Sequence, residues 1–540
     1  MKQGKRLRRE LFAALITVVL GYIWFYITLP ALNLQSVEFY TFACVLLAIW
    51  FFVRLPAVAN LAAEQGMQGR SKKIYTFFPL GIAAVLLVLL AVFSVASLEI
   101  FNASRYKNLL PVETGDFASE IQQITYDQIP MLDKDSAIKL GNRKMGELAD
   151  MVSQFEVSED YVQINYKSKP VRITELQYAG FFKWLTNRKS GLPGYVMIDM
   201  VNQNTQLVRL KEGMKYSTSE YFGRNISRYV RFRYPTALLG KPGLEIDDDG
   251  VPYWITPKLI KRIGMLGGTD VQGAIFVNAI TGEHQYYPLD QVPEWADHIV
   301  PAELIIHQYD YFGAYQRGFF NSLFGQKGVT QTTEGYNYIA QNDDVYVYTG
   351  ITSVNSDQSN IGFILVNQRT KDAKFYSSSG ATEYSAMDSA EGAVADLRYT
   401  ATFPILLNIS GQPTYFMALK DSAQLVKMYA MVNVSKYQKV ATGQTVAECE
   451  KKYNKLMQTD SDYSPAEGDT VSGNIEDIRT AVQEGYTWYY IKLIGNENYF
   501  MQSVQQDPAL VTLNKGDSVK VKFSGIPVDN TVSATSITRG

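Results

Sequence analysis

Three long apolar runs open the chain, and short alternating segments fill most of the remainder. The first run, residues 11–32, carries no charge over roughly the 20 residues a helix needs to cross hydrocarbon. It follows Lys2, Lys5, Arg6, Arg8 and Arg9, and no small-residue cleavage pattern comes after it, so a retained anchor is expected rather than a signal peptide. The second run, 39–53, is shorter, but Arg54 can extend its charge to the membrane surface while 55–63 continues apolar. The third, 74–101, is apolar on every face and has Tyr75, Phe77 and Phe101 near its ends as interfacial aromatics. Helices are predicted at about 11–32, 39–61 and 75–101, making 1–103 a transmembrane region.

The loops set direction. The amino end has five Lys/Arg, the turn at 33–38 has none, and 54–73 holds Arg54, Arg70, Lys72 and Lys73. Positive charge stays in the cytoplasm, so the amino end and the second loop are placed there and everything after about residue 102 outside. Parity carries this expectation. Were 39–63 re-entrant, the large domain would face the cytosol.

Beyond the membrane the period changes. Residues 104–160 read as a juxtamembrane helical stalk, with helical spacing at 121–129 and 136–155. Tyr161-Val-Gln-Ile-Asn-Tyr-Lys then alternates as a half-buried strand, and 174–185 looks helical up to the break at Gly191-Leu-Pro-Gly194.

An internal pattern recurs three times: an apolar strand ending in Val-Asn, a Thr three residues after the Asn, and a second strand beyond. It occurs at Val201-Asn202 with Thr205, at Val277-Asn278 with Thr281, and at Val366-Asn367 with Thr370. Period-two segments on either side of a polar turn predict a β-hairpin, and helices are expected after each copy, near 217–235, 299–324 and 383–398. A second matched pair, Asp249-Gly-Val-Pro-Tyr-Trp-Ile255 and Ser410-Gly-Gln-Pro-Thr-Tyr-Phe-Met417, relates 195–258 to 361–420.

Gly273-Ala-Ile-Phe-Val-Asn-Ala-Ile-Thr-Gly-Glu283 resembles the hairpin of PepSY domains, small extracytoplasmic α+β modules whose terminal strand typically reads Val-Asp-Ala-x-Thr-Gly-Glu. The other copies depart from it, with Gln-Asn-Thr-Gln and Gln-Arg-Thr-Lys in place of Thr-Gly-Glu, and with Asn where the family has Asp. The resemblance covers about a third of the chain. It implies binding, peptidase restraint or envelope sensing rather than catalysis. Repeats 1 and 2 are assigned to 161–345 and repeat 3 to 346–460.

A polar linker at 461–468 precedes a separate tail, 469–540. Five strand-like stretches (470–475, 487–494, 499–504, 518–523 and 532–537), with an irregular 505–513 before the fourth, resemble an OB-fold barrel, an SH3-like barrel being the alternative. The expected fold class is thus α+β: three N-terminal transmembrane helices, repeated helix/β-hairpin PepSY-like modules and a small OB-like β-barrel.

Charge sharpens the placement. Residues 1–75 hold nine Lys/Arg against three acids, whereas the remainder holds 42 against 50. A mildly acidic domain without a basic patch argues against nucleic acid as a partner. Two cysteines some four hundred residues apart, Cys44 and Cys449, make no plausible pair, and low cysteine use suits a bacterial cell surface. Three histidines make a His-rich metal site improbable, while 36 tyrosines stand out.

The candidate chemistry is thin. Aligning Gly250 with the sixth position of an EF-hand puts Glu245, Asp247 and Asp249 at one, three and five, yet Thr256 occupies position twelve where a bidentate Glu is needed, so an acidic turn is expected. Ser136 and Lys139 have the spacing of a lysine-activated serine without the companion motifs. Cys449 lacks a His partner. Trp295-Ala-Asp-His298 and His307 with Tyr309, Asp310 and Tyr311 form the richest His/Asp neighbourhood. Tyr286, Tyr287, Tyr309, Tyr311, Tyr346 and Tyr348 suit a binding surface and equally suit ordinary strands.

No zinc-protease, nucleophile-elbow, phosphate-loop or dinucleotide motif is present. No catalytic, cofactor-binding or metal-ligating residue is assigned and no cofactor is expected. The expected function is a non-enzymatic, membrane-anchored envelope protein whose partners are the lipid bilayer and an envelope protein or the cell wall; oligomeric state is left open. The alternatives are an accessory subunit of a membrane complex, for which Gly21, Gly81 and Ala83-Ala84 offer small-residue contacts, and an envelope hydrolase.

Overall fold

The apolar runs become three long helices in the computed structural model, which describes residues 2–65, 70–121, 129–341, 344–354, 356–409, 411–457, 469–483, 486–504, 507–523 and 531–539. They are α1 (Lys2–Thr28), α2 (Val37–Gln65) and α3 (Arg70–Ala96). Each contains a window long and apolar enough to cross a membrane: Glu10–Thr28, Val37–Leu55 and Thr76–Ala96. The short middle run therefore has the length of a span. Packing explains its charge, because Arg54 reaches Glu10 of α1 at 3.5 Å and lies 5.2 Å from the ring of Trp50. Gly21 lets α1 approach α2, since a Cβ there would stand 2.6 Å from Leu46. Gly81 faces open space.

The chain divides into two compact units, one of 1–113, 134–357 and 363–375, the other of 114–133, 358–362 and 376–540. The segment expected as a helical stalk holds short elements instead: α4 (Glu99–Lys107), β1 (Val112–Gly115), α5 (Phe117–Glu120) and α6 (Lys134–Gly146). Most of the helix expected at 121–129 lies outside the described residues.

One plan then repeats four times: a helix, two short strands, and three consecutive antiparallel strands of which at least the first two are long. In the first copy α6 leads β2 (Phe155–Val157), β3 (Val162–Tyr166) and β4 (Lys169–Tyr178), then α7 (Phe181–Asn187), β5 (Leu192–Asp199) and β6 (Thr205–Met214). The helix expected at 174–185 is thus a strand as far as Tyr178. Its run of Val171, Ile173 and Thr174 is β-branched and wholly buried, which favours a pleated strand, and only the short α7 is helical.

The second copy comprises α8 (Ile226–Arg233), β7 (Leu238–Leu239), β8 (Gly243–Ile246), β9 (Pro252–Ile263), β10 (Gly267–Asn278) and β11 (His284–Pro288). The third is α9 (Ala302–Ala314), β12 (Thr330–Thr332), β13 (Asn337–Gln341), β14 (Asp344–Ser353), β15 (Ser356–Asn367) and β16 (Ala373–Ala381). The fourth, in the second unit, is α10 (Glu383–Ala393), β17 (Thr400–Ala401), β18 (Ile405–Ile409), β19 (Gln412–Lys420), β20 (Val426–Asn433) and β21 (Val440–Gly443), followed by α11 (Val446–Met457). In every copy the first short strand pairs the far end of the first long strand and the second pairs its near end.

The hairpin turns reveal the register. Asn278 Oδ1 accepts from the main-chain N–H of Ile280 and Thr281, and Asn367 Oδ1 from Arg369 and Thr370. In the first copy the residue doing this is Asp199, which accepts from Val201 and Asn202, three positions before the Asn of the expected pattern. Asn433 plays the part in the fourth, accepting from Lys436. The next residue in each, Met200, Ala279, Gln368 or Val434, donates its N–H to the carbonyl of Pro170, Pro252, Val345 or Pro413 near the start of the first long strand. The Gly-x-Pro match at 249–255 and 410–417 thus marks equivalent strand starts.

The cores are apolar and ordinary. Ile255, Phe276, Ile305, Tyr309, Val347 and Ile364 belong to one cluster joining the second and third copies within the first unit. The tail forms a closed five-stranded barrel of β22 (Asp469–Gln483), β23 (Tyr486–Leu493), β24 (Tyr499–Ser503), β25 (Ser518–Phe523) and β26 (Thr531–Arg539), in the order β22-β23-β24-β26-β25. Ile491, Phe500, Leu510 and Val521 fill it. The expected linker at 461–468 lies outside the described residues.

Candidate functional site

Two acidic motifs that are far apart in sequence meet at one buried knot. Glu245 comes from β8, whose four residues pair with the start of β9 and turn the carboxylate inward. The loop after β11, 292–301, lies over it: Glu245 Oε2 accepts the N–H of Asp297 at 2.8 Å and Oε1 that of His298 at 3.0 Å. Asp297 Oδ2 in turn accepts the N–H of Asn165 in β3 at 2.6 Å. His298 Nε2 bonds the carbonyl of Gln163, which can only accept, so the proton sits on Nε2. The imidazole meets Tyr338 of β13 edge-on at 5.4 Å. One loop thereby stitches together strands from the first three copies.

Electrostatics follow from burial. It pushes the Glu245 carboxyl up to about 7, against the two amide donors that favour its ionised form. Burial also drives His298 down to about 4, the Gln163 carbonyl opposing this and the nearby Arg172 assisting it. A carboxyl near 7 suits proton transfer, but both oxygens are occupied by main-chain donors, so this one acts as a clamp.

The remaining candidates disperse. Asp247 closes its own turn, accepting from Asp249 and Val251 with Gly250 at φ +78°, so the EF-hand-like residues form the expected acidic turn while Glu245 points away into the knot. Ser136 is buried on α6 and Lys139 exposed. His307 is exposed on α9, away from His298, and Asp310 is engaged by the N–H and hydroxyl of Thr332. Tyr309 and Tyr348 are buried, and Tyr311 packs on Tyr106 at 4.7 Å, so these tyrosines serve packing. Cys449 is fully buried with its thiol pushed up to about 12 by burial, and donates to the carbonyl of Ala441. Among the described residues no group of three His, Cys, Asp or Glu is arranged to hold a metal.

A second constellation, which periodicity alone does not disclose, joins the second copy to the ends of the long apolar helices. Leu32 donates to the Pro235 carbonyl at 2.8 Å, Asn33 Nδ2 to Thr236 at 2.9 Å, and Gln35 Nε2 to Lys261 at 3.3 Å. Just beyond α3, Ser97 Oγ accepts from Leu266, Tyr106 donates to the Ser97 carbonyl at 2.7 Å, and Arg105 donates to that of Arg262 at 2.8 Å. Gly267 permits the approach, since a Cβ there would stand 2.2 Å from the Tyr106 hydroxyl. The second copy is therefore seated on the α1–α2 turn and on the exit of α3.

No protein-family model matches the chain, and no curated protein matches it. Solved structures give only faint likenesses. A GH32 β-fructofuranosidase from Bombyx mori is 10% identical with a TM-score of 0.19, covering 74% of this chain and 69% of that one. A GDP-mannose-dependent mannosyltransferase from Leishmania mexicana is 11% identical (TM-score 0.16, 66% and 91% covered), and levansucrase from Bacillus subtilis 9% (0.16, 82% and 94%). Overlaps so slight say nothing of how this chain folds or acts.

Proposed function

We propose that this is a non-enzymatic, membrane-anchored envelope protein whose four-sheet domain stands outside the cytoplasm and binds a protein or cell-wall partner. One observation carries the reading: the second copy is hydrogen-bonded both to the α1–α2 turn, through Leu32, Asn33 and Gln35, and to the exit of α3, through Ser97 and Arg105. That is the arrangement three crossings produce. The other ends of the helices begin with Lys2, Lys5 and Arg6 and with Arg70, Lys72 and Lys73, the residues retained in the cytoplasm.

The sheets support a PepSY-like reading. Asp199 stands where that family's strand carries Asp, and the Gly273–Glu283 segment is a hairpin capped by Asn278. The barrel is read as OB-like from its strand order, the parallel pairing of β24 with β26, and the short helix Pro508–Thr512 before β25. A buried Glu245 whose two oxygens are both taken by main-chain donors suits a structural clamp better than turnover.

A subunit role is favoured by Gly81, whose missing Cβ leaves open space on α3. In-cell crosslinking followed by purification in mild detergent tests binding. An envelope protein or cell-wall fragment joined to residues 134–375 in constant ratio is the expected result; a chain recovered alone under every condition contradicts it.

A further inference from the structure

Exposed aromatic rings gather at two places on the first unit, both tied to the ends of the spans. At the first, α7 and the turn before α8 bring together Phe181, Phe182, Leu185, Tyr221 and Phe222, with Phe182 77% and Phe222 59% exposed. Their base is rigid. Glu220, buried beneath, accepts from Trp184 Nε1 at 2.7 Å and the Tyr178 hydroxyl at 2.9 Å, and Trp184 lies 4.9 Å from Tyr221 and 5.8 Å from Phe222. The rim is basic, with Lys183, Arg188, Lys189 and Arg224 along the same segments.

The level of this cluster relative to the helices follows from Arg228. Its guanidinium lies 4.2 Å from the ring centre of Tyr26, its Nε donates to the Tyr26 carbonyl, and its Nη1 donates to the carbonyl of Phe222 at 2.8 Å. Phe232, four residues on, packs edge-on against Tyr22, Phe25 and Tyr26. Those three belong to the span Glu10–Thr28, Tyr22 lying about 9 Å along the helix from Thr28. Phe222 therefore sits beside the outer end of the span.

At the second place, Phe320, Leu323 and Phe324 are 64%, 55% and 81% exposed in the turn after α9. Tyr315 fixes that turn to the membrane exit: its hydroxyl donates to Glu99 Oε2 at 2.6 Å, three residues past the span Thr76–Ala96, and its ring packs on Phe319, which packs on Phe320. Arg317 and Lys327 flank it, exposed.

We propose that both clusters are membrane feet: Phe182 and Phe222 beside α1, and Phe320 and Phe324 beside α3, dip into the boundary between headgroups and acyl chains while the flanking Arg and Lys bind lipid phosphates. This rests on the reading that the three helices span a bilayer. Two separate aromatic groups at the level of the span ends, each bordered by cations, match a lipid surface, where aromatic rings settle at the headgroup level and basic side chains gain from anionic lipid. Any one exposed Phe would be unremarkable. Their clustering at both helix exits is what the bilayer explains.

The test uses the full chain in nanodiscs of phosphatidylcholine and phosphatidylglycerol that carry a nitroxide high on the acyl chain. An environment-sensitive fluorophore is placed singly at Phe182→Cys, Phe324→Cys, Val88→Cys within the third span, and Asp248→Cys on an exposed turn, in a Cys44→Ala, Cys449→Ala background. The expected result is that labels at 182 and 324 lose more than half their emission to the nitroxide, as the label at 88 does when the nitroxide sits deeper, while that at 248 is unaffected. Labels at 182 and 324 as unquenched as that at 248, with 88 quenched, would overturn the feet alone. An unquenched 88 would overturn the membrane reading itself. Restoring unquenched emission with Phe222→Asp and Phe320→Asp, at unchanged melting temperature, distinguishes insertion from chance proximity; continued quenching counts against it.

Discussion

The guanidinium of Arg228, on the first helix of the second repeat, stacks 4.2 Å from the ring of Tyr26 at the end of the first span. Because the same side chain also donates to the main chain of Phe222 and Tyr26, it couples the second repeat to α1. Arg228→Ala is expected to cost about 1–2 kcal/mol. Amide exchange should speed up at 29–36 and 222–228 and stay unchanged in the barrel, which hydrogen-exchange mass spectrometry reads directly.

Glu245→Ala strips the main-chain N–H groups of Asp297 and His298 of their acceptor deep in the first unit. Unsatisfied buried donors cost about 1–3 kcal/mol each, so the melting temperature of the detergent-solubilised chain should fall by several degrees. Asp248→Ala, three residues on and exposed, is the control and should leave it unchanged.

Acid acts on the buried titratable groups in two opposed ways. Glu245 and Glu175, buried and raised from 4.5 to about 7, favour their protonated forms in the folded chain. Their contribution is fully present below pH 4.5 and is lost as pH rises through 7. His298, lowered from 6.5 to about 4, contributes above pH 6.5 and loses that contribution as pH falls toward 4. His298→Gln keeps a donor for Gln163 and removes the titration. Between pH 7 and pH 5 its stability relative to wild type should improve by about 2 kcal/mol, measured by thermal or urea unfolding.

The hairpin turns give a contrast in sign. Gln203 and Lys371 hold equivalent left-handed positions, φ +59° and +71°. Gln203→Gly is expected to stabilise by about 0.5–1 kcal/mol by relieving that conformation. Lys371→Gly is expected to destabilise, because Lys371 also pairs with Asp270 and donates to the Leu109 carbonyl at 2.8 Å. Urea midpoints of the two variants decide it.

The three long apolar helices, the barrel strands and the hairpins at 277–286 and 366–375 are legible in the sequence because each is written in local periodicity. The first hairpin is expected three residues late because Asp199 and Asn202 both accept main-chain N–H groups around one turn, and only the fold shows which of them closes the ladder. The fourth, at Asn433, escapes the pattern because its turn is one residue longer, Asn433 bonding Lys439 where Asn367 bonds Asp372. Glu245 and His298 each stand out in the sequence, but they are 53 residues apart, and nothing local says that the carboxylate of one clamps the main chain of the other. The feet are invisible for the same reason: α7 and the 321–325 turn acquire meaning only from their height beside α1 and α3.

The side of the membrane on which the repeats stand is decided by labelling a single cysteine, Asp248→Cys, with a membrane-impermeant maleimide on intact cells, in the Cys44→Ala, Cys449→Ala background. Position 248 is expected to react at once, while Ser71→Cys, at the basic start of α3, reacts only after the membrane is opened. Reaction of 71 from outside, with 248 protected until permeabilisation, would contradict it.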